Sequence, residues 1–319
     1  MSLHGAGSPV ENGAIRVGAI DIGTNTVLLL VAERRAGEVV AVCERSTITR
    51  LGEGVGQTRE LAPAARERTL ACIADYARTL RSLGAARVSC VGTSAMRDAR
   101  GGAEFAREVA AVLGSAPRIL SGDEEAELTF RGSLSGLDLT GPVSVFDIGG
   151  GSTEIIHGQL ASSARIAAAI SLNVGSVRLF ERHVRSDPPS SAELGAVRDD
   201  IERALDEVSS FTPGSTLVGV AGTVTTIAAV ALEQGNYDSA SMHGLRLPAS
   251  EVSRIARLLE SLPIAERVKL AGMEPKRADV IVVGAALVEA IVERAGAREI
   301  VVSDRGVRWG LAEQSLAGS

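Results

Sequence analysis

Residues 143–156, VSVFDIGGGSTEII, decide the fold: an apolar strand runs into a turn of three glycines, and a second apolar strand follows. Residues 17–32, VGAIDIGTNTVLLLVA, repeat this pattern. In both segments an Asp ends the first strand and Asp-Ile-Gly opens the turn. Asp21 and Asp147 lie 126 residues apart, about one domain length. The two matched hairpins predict duplicated domains that face each other.

The rest of the chain alternates between helical and strand patterns. Apolar residues at helical spacing predict a helix over 63–83. Further helices are predicted over 103–113, 122–130, 174–183, 191–209, 249–261, 278–295 and from near 307. Further strands are predicted over 87–92, 118–121, 164–171, 217–220 and 299–303. Strands that alternate with helices in both halves predict an α/β protein.

Composition limits the classes of function. The chain has 319 residues, 45% hydrophobic and 23% charged, which suits two packed domains. A net charge of −6, without a basic stripe, argues against a nucleic-acid binder. The most apolar run, 280–292, is interrupted by Glu289 and is too short to span a bilayer, so no membrane association is expected. Residues 1–14 look like a flexible leader, and 15–135 and 136–319 are the expected domains.

The basic residues and the cysteines bear on the substrate and on the cellular compartment. Lys269 and Lys276 are the only lysines, and the arginine excess fits phosphate recognition by planar guanidinium groups or, more simply, the codons of a GC-rich genome. Cys43, Cys72 and Cys90 lie far apart and form no ligand pair. They are expected to be small buried residues in a reducing compartment, which favours the cytoplasm.

The two Asp-Ile-Gly turns carry the chemistry. A tight, glycine-rich turn between strands directs backbone N–H groups outward and forms a concave anion site. An Asp beside each phosphate loop makes sense if Mg²⁺ lies between the two charges. A hairpin that needs glycines for its backbone is the better explanation of one such turn, whereas two matched turns favour the anion site. The candidate phosphate-binding residues are Gly23, Thr24, Asn25 and Thr26 in the first loop, and Gly149, Gly150, Gly151, Ser152 and Thr153 in the second.

Other candidates are weaker by themselves. Gly222 and Thr223 follow a strand and open a helix, whose N-terminus favours anions. Glu125 lies in a run of acids at a helix start, which either stabilises the helix dipole or supplies a general base. Arg97 follows a strand and could reach a site at its end. The histidines have no metal-ligand spacing, and no motif supports covalent catalysis.

These stretches resemble the exopolyphosphatase and guanosine pentaphosphate phosphohydrolase (Ppx/GppA) family, within the actin, sugar kinase and Hsp70-like ATPase superfamily. The matching segments follow in family order from about residue 16 to 312. They are AIDIGTNT at 19–26, TSAMRDA at 93–99, SGDEEA at 121–126, FDIGGGSTE at 146–154, AGTVTT at 221–226 and SDRG at 303–306.

The resemblance implies two ribonuclease-H-like domains with an active-site cleft between them. It implies that Glu125 is the general base, and that Asp147 and Glu154 hold Mg²⁺ and the attacking water. Asp21 would help to place the metal, and Arg97 would hold phosphate with the two loops. The last helix would pack back on the first domain, and a homodimer is the expected assembly.

The sequence also departs from the family pattern. Leu28 and Gly101 stand where many relatives carry a polar residue, and the extra C-terminal domains of long members are not expected in this protein. We therefore expect limited handling of very long polymers.

Several functions stay open. The expected activity is Mg²⁺-dependent hydrolysis of the terminal phosphoanhydride of inorganic polyphosphate. Guanosine pentaphosphate is the alternative substrate. A phosphotransferase or a catalytically weak phosphate sensor are the other classes.

Overall fold

The computed structural model describes residues 15–161, 164–208, 210–235 and 238–317. The expected leader, 1–14, lies outside these ranges. The chain forms two compact units, Met1–Ser121 with Val307–Ser319, and Gly122–Gly306. The second unit therefore begins at Gly122, whereas the sequence-based domain limits place 122–135 in the first domain.

The strands are β1 (Arg16–Ile22), β2 (Thr26–Arg35), β3 (Glu38–Ile48), β4 (Arg87–Gly92), β5 (Arg118–Ile119), β6 (Gly141–Ile148), β7 (Thr153–Leu160), β8 (Ala164–Leu172), β9 (Thr216–Val220), β10 (Arg246–Pro248) and β11 (Glu299–Val302). The helices are α1 (Val55–Thr58), α2 (Pro63–Ser82), α3 (Ser94–Asp98), α4 (Gly102–Leu113), α5 (Gly122–Leu134), α6 (Ser176–His183), α7 (Ser191–Leu205), α8 (Ala221–Ala231), α9 (Ser239–Met242), α10 (Ala249–Ser261), α11 (Ile264–Arg267), α12 (Ile281–Ala295) and α13 (Val307–Ala317), with a 3₁₀ turn at Pro275–Arg277.

The first unit has one sheet in the order β3-β2-β1-β4-β5. β1 pairs antiparallel with β2, and β2 pairs antiparallel with β3, while β4 lies parallel to β1 and β5 parallel to β4. Every residue of β1 is buried, as its apolar sequence requires for a central strand. The last helix, α13, packs on β1, β2 and β4 of this unit.

The second unit repeats the arrangement and adds a strand. Its sheet has the order β10-β11-β9-β6-β7-β8. β6, β7 and β8 form an antiparallel meander, β9 and β11 continue in parallel, and β10 pairs antiparallel at the edge. Both units thus contain a three-stranded meander followed by two parallel strands, the ribonuclease-H-like order. The α/β class with two such sheets is confirmed.

Local sequence explains where several helices begin. Pro63 occupies the first turn of α2, where its missing N–H costs nothing. Ser190 and Glu193 form a reciprocal capping box at the start of α7. Within the described ranges, no helix is both long and apolar enough to cross a bilayer.

Candidate active site

Three carboxylates of the second unit come together. Glu125 lies in the first turn of α5, Asp147 near the end of β6 and Glu154 near the start of β7. Asp147 and Glu154 are direct partners across the β6–β7 hairpin, so their side chains share one face of the sheet. α5 packs on β6, β7 and β8, and its Glu125 acts electrostatically on both other acids.

Burial and repulsion between like charges raise the pKa values of Asp147 and Glu154. Burial, and then the charge of Glu125, raises the pKa of Asp147 to about 7. Burial, followed by the charges of Glu125 and Asp147, raises the pKa of Glu154 well above its usual range. Glu154 is 1% exposed and Glu125 is 7% exposed. The arrangement therefore favours a bound cation or a shared proton.

Two hydroxyl groups orient the acids. Ser171 Oγ donates to Glu154 Oε1 at 2.7 Å, from the position in β8 directly opposite Glu154. Thr129 Oγ1 donates to Asp147 Oδ2 at 3.5 Å. A Cβ on Gly122 would lie 3.0 Å from Ser171 Cβ, so this glycine lets α5 begin close to β8. Sequence patterns missed Ser171 and Thr129, although the register of β7 and β8 would have indicated Ser171.

The triple-glycine loop is held from one side. Gly149 N donates to Ser152 O at 3.0 Å and closes the turn. The Gly149 carbonyl accepts from Ser176 N at 3.0 Å, and the Gly150 carbonyl accepts from the backbone N–H of residues 177 and 178, each at 3.0 Å. The Gly151 carbonyl accepts from Arg178 Nε at 2.6 Å. All three carbonyls thus face the first turn of α6.

The orientation of the N–H groups follows from peptide planarity. In a trans peptide, the carbonyl of one residue and the N–H of the next point in opposite directions. The N–H groups of Gly150, Gly151 and Ser152 therefore point away from α6, as a row of donors suited to an anion. Thr153 Oγ1 donates to Val174 O at 2.7 Å, so its hydroxyl holds the loop in place rather than facing outward.

The first loop is held in a corresponding way inside the first unit. The Thr24 carbonyl accepts from Gly52 N at 2.8 Å, and the Asn25 carbonyl accepts from the backbone N–H of residues 49 and 50. Gly23 N donates to Thr26 O at 3.0 Å, and a Cβ at Gly23 would meet that oxygen at 2.8 Å. By the same peptide geometry, the N–H groups of Asn25 and Thr26 point away from residues 49–52. Buried Asp21 lies near the end of β1, just before this loop.

Arg97 lies on α3, also in the first unit. Its Nη1 donates to Leu120 O at 2.9 Å, and the side chain is partly exposed. One edge of the guanidinium is therefore used to hold residue 120, which precedes α5 in the chain. A phosphate contact by the other nitrogens stays a prediction.

The β9–α8 junction carries the third candidate loop. Ala221 adopts φ 71°, a conformation that is costly for a residue with a Cβ. Gly222 lies under the guanidinium of Arg277, which a Cβ at this position would push aside. The side chain of Thr223 packs against Gly284 of α12 rather than standing free at the helix end. Sequence patterns gave no sign of Arg277, because it lies more than fifty residues further along the chain.

The donor set suits a hard cation such as Mg²⁺. Within the described ranges, no group of three or more His, Cys, Asp or Glu side chains has the spacing of a complete metal site. Mg²⁺ is usually bound by one or two carboxylates together with water and substrate phosphate, so a complete protein cage is not required. Burial, and then the charge of Glu125, raises the pKa of both Asp147 and Glu154, and the positive charge of such an ion would offset both effects.

The second unit thus brings together Glu125, Asp147, Glu154 and the triple-glycine loop. The first unit carries Asp21, Arg97 and the first loop. The expected pairing of Asp21 with Asp147 on one metal stays a prediction, as do the individual roles of these residues.

Known proteins resemble this chain in sequence and in fold. A sequence model of the Ppx/GppA phosphatase family matches residues 30–317. Exopolyphosphatase 2 of Mycobacterium tuberculosis is 40% identical over 320 residues, which cover 95% of this chain and 99% of that protein. A solved structure of an exopolyphosphatase-like protein superposes with a TM-score of 0.89 at 31% identity, over 95% of this chain and 99% of the other.

A more distant relative has a different substrate in its name. Guanosine-5'-triphosphate,3'-diphosphate pyrophosphatase of Photobacterium profundum is 26% identical over 302 residues, which cover 94% of this chain and 59% of that protein. With the family match extending over most of the sequence and the two sheets in the expected order, the chain belongs to the Ppx/GppA phosphatase family.

Proposed function

We propose that this protein is an exopolyphosphatase, which hydrolyses the terminal phosphoanhydride of inorganic polyphosphate with a divalent cation, Mg²⁺. The observation that carries the proposal is the cluster of Glu125, Asp147 and Glu154 in the same unit as a loop whose N–H groups point outward. Family membership and the 40% identical exopolyphosphatase of M. tuberculosis support it.

In this proposal Glu125 is the general base. A general base has to lie within reach of water and accept a proton at the operating pH. Burial, followed by the charge of Glu125, raises the pKa values of Asp147 and Glu154 beside it. In-line attack by water on the terminal phosphoryl group needs only one proton acceptor, and the other two carboxylates are then free to hold the cation.

Asp147 and Glu154 would hold Mg²⁺, with Asp21 as a further ligand suggested by the family resemblance. The ion would supply positive charge against the phosphate oxygens. Ser171 and Thr129 keep the two carboxylates turned in fixed directions through their hydrogen bonds. Such fixed orientation lowers the cost of reorganisation during the reaction.

The phosphate oxygens would accept hydrogen bonds from the N–H groups of Gly150, Gly151 and Ser152. Fixed donors stabilise charge on a transferring phosphoryl group more than water does, because they need not reorient. Gly23, Thr24, Asn25, Thr26, Arg97, Gly222 and Thr223 belong to the same proposal through the family resemblance.

The test is phosphate release by the full chain from polyphosphates of several defined lengths, with Mg²⁺ or with a chelator. Glu125→Gln should lower the rate by roughly 10²–10⁴-fold. Glu127→Gln is the matched control, because Glu127 is an exposed residue of the same helix that pairs with Arg131. Wild-type turnover in Glu125→Gln would remove this residue from the mechanism, and undiminished turnover without a divalent cation would remove the metal.

Guanosine pentaphosphate is the second candidate substrate, and the relative from Photobacterium profundum favours including it. Both substrates end in a phosphoanhydride, so the same acids would serve. A higher kcat/KM for guanosine pentaphosphate than for every polyphosphate would reverse the assignment. ATP formation from ADP and polyphosphate would indicate a phosphotransferase instead, and tight binding without turnover would indicate a sensor.

We also propose a homodimer in the cytoplasm. Twofold dimers are the commonest assemblies of soluble proteins, which is the support for the first part. Cys43, Cys72 and Cys90 are free thiols, as is usual in a reducing compartment. Light scattering at several protein concentrations tests the dimer, and cell fractionation tests the compartment.

A further inference from the structure

Two side chains of α6, Ser176 and Arg178, donate to carbonyls of the triple-glycine loop, and the bond from Arg178 is the shorter. Backbone N–H groups of residues 176–178 hold the carbonyls of Gly149 and Gly150, and Ser176 Oγ adds a longer bond of 3.3 Å to the Gly149 carbonyl. Any residue other than proline could supply these backbone groups. The Gly151 carbonyl instead accepts from the side chain of Arg178, at 2.6 Å. This last contact therefore depends on the identity of the residue.

The held peptide is the one whose N–H faces a phosphate in the proposed function. The Gly151 carbonyl and the Ser152 N–H belong to the same peptide and point in opposite directions. Glycine has wide backbone freedom, so a peptide that follows three glycines can rotate unless something fixes it. Arg178 fixes it, and the Ser152 N–H consequently points away from α6.

A direct electrostatic effect of Arg178 on the carboxylates has less support than an effect through the loop. The charges that raise the pKa of Glu154 come from Glu125 and Asp147, and its hydrogen bonds come from Ser171 and Ser152. Arg178 is connected to the site through the loop, by its bond to the Gly151 carbonyl.

Gly175, the residue just before α6, approaches the same loop. A Cβ at Gly175 would lie 2.7 Å from the carbonyl carbon and oxygen of Gly150, and 2.8 Å from the carbonyl carbon of Gly151. Real Cβ atoms do not approach so closely, and both partners are backbone, so the loop would have to move. A methyl group at this position therefore displaces the loop without changing any charge.

We propose that Arg178 is a positioning residue, which holds the Gly151–Ser152 peptide so that the Ser152 N–H is fixed as a donor to the substrate's phosphate. The inference rests on the proposed function of this loop. It assigns no contact between Arg178 and the substrate, and it makes Gly175 a second determinant of the same geometry.

The experiment compares Arg178→Ala and Gly175→Ala with two matched controls. Arg182 lies one turn further along α6 and pairs with Asp200, and Gly195 on α7 has open space where a Cβ would stand. Loss of a fixed oxyanion donor costs about 10²–10³ in kcat, and misalignment costs less, so we expect kcat/KM to fall about 10–100-fold in both test variants. Arg182→Ala and Gly195→Ala should stay within about twofold, since surface changes are nearly neutral.

Two further readouts separate positioning from a merely structural role. Guanidinium chloride, far below unfolding concentrations, should restore activity to Arg178→Ala but leave Gly175→Ala unchanged. Inorganic tripolyphosphate should raise the Tm of the wild type, and this rise should shrink in both test variants. The second readout needs no turnover, so it tests the inference even if the wild type hydrolyses none of the substrates.

Three results would overturn the inference. Wild-type kcat/KM together with a wild-type ligand-induced Tm rise in Arg178→Ala would show that the contact does not matter. A lowered Tm with unchanged kcat/KM would show a structural role alone. A wild-type Gly175→Ala beside an inactive Arg178→Ala would indicate that Arg178 contacts the substrate directly.

Discussion

Glu125→Gln should make the metal-free protein more stable while it removes activity. Glu125 is buried in the first turn of α5, and its charge is a cause of the raised pKa of both Asp147 and Glu154. Glutamine has nearly the same size and can keep hydrogen bonds, but it carries no charge. The substitution therefore removes repulsion without leaving a cavity.

The size of the stability gain in Glu125→Gln follows from the raised pKa of Asp147. Its pKa lies at about 7 against an ordinary 3.8, a difference of about 3 pH units or about 4 kcal/mol. Burial is the larger cause and Glu125 the next, so less than half, under about 2 kcal/mol, should disappear with the charge. For a unit of this size that corresponds to a Tm rise of at most roughly 4–8 °C.

The stability gain in Glu125→Gln should depend on pH, in the direction that the raised pKa of Asp147 dictates. Because the pKa of Asp147 is raised in the folded state, the native protein binds more protons than the unfolded chain between about pH 4 and pH 7. The contribution of Asp147 to stability is fully present below this window and is lost as the pH rises through about 7. The advantage of Glu125→Gln should thus be larger at pH 8 than at pH 5.

The assay is thermal unfolding in a chelating buffer at both pH values, with Glu127→Gln as control. Phosphate release in Mg²⁺ is measured on the same preparations. A Glu125→Gln protein that is less stable than the wild type at pH 8 would refute the reasoning. An equal gain at pH 5 and pH 8 would also refute it, because the gain would not come from charge.

The remaining predictions concern neighbouring contacts. Ser171→Ala removes the hydrogen bond to Glu154, so kcat should fall roughly 10-fold, and the acid limb of the pH–rate profile should move to higher pH; an unmoved profile would contradict this. Saturating Mg²⁺ at about 100 times its Kd should stabilise the wild type by about 2.7 kcal/mol in thermal scans, but not Asp147→Asn. Arg16→Ala should cost about 2 kcal/mol in denaturant unfolding at pH 7, because Glu33 loses its partner at 2.7 Å but keeps Arg35 at 2.6 Å. The pKa of Glu33 is lowered, chiefly by Arg16, so this stabilisation is lost as the pH falls through the lowered value, and the cost should shrink in acid.

The sequence predicted most of the fold, because its periodic patterns are strong. The helix over 63–83 corresponds to α2, the strand over 87–92 to β4 and the helix over 249–261 to α10. β3 (Glu38–Ile48) was not predicted, since its polar and apolar residues do not alternate cleanly and its outer edge is half exposed. Pairing with β2, which includes a register shift at Val31 and Ala32, defines this strand. Such pairing cannot be found in local periodicity.

The site was predicted in part. The hairpin that carries Asp147 and Glu154 followed from a repeated local pattern. The acids at 123–125 could not be distinguished by pattern, because all three suit a helix N-terminus. Only packing decides that Glu125 is buried while Asp123 is exposed. Arg178 was missed for a similar reason, since its partner Gly151 is 27 residues away and the contact is to a carbonyl, which no side-chain motif encodes.

One consequence concerns cooperativity. Glu125, Asp147 and Glu154 all belong to Gly122–Gly306, so the electrostatic cost of holding them falls on one unit. In a calorimeter, chelator-treated protein should then melt in two steps, with the acid-bearing half first. Divalent ions would raise the temperature of the first melting peak toward that of the second. The width of the combined endotherm would then report how fully the ion is bound.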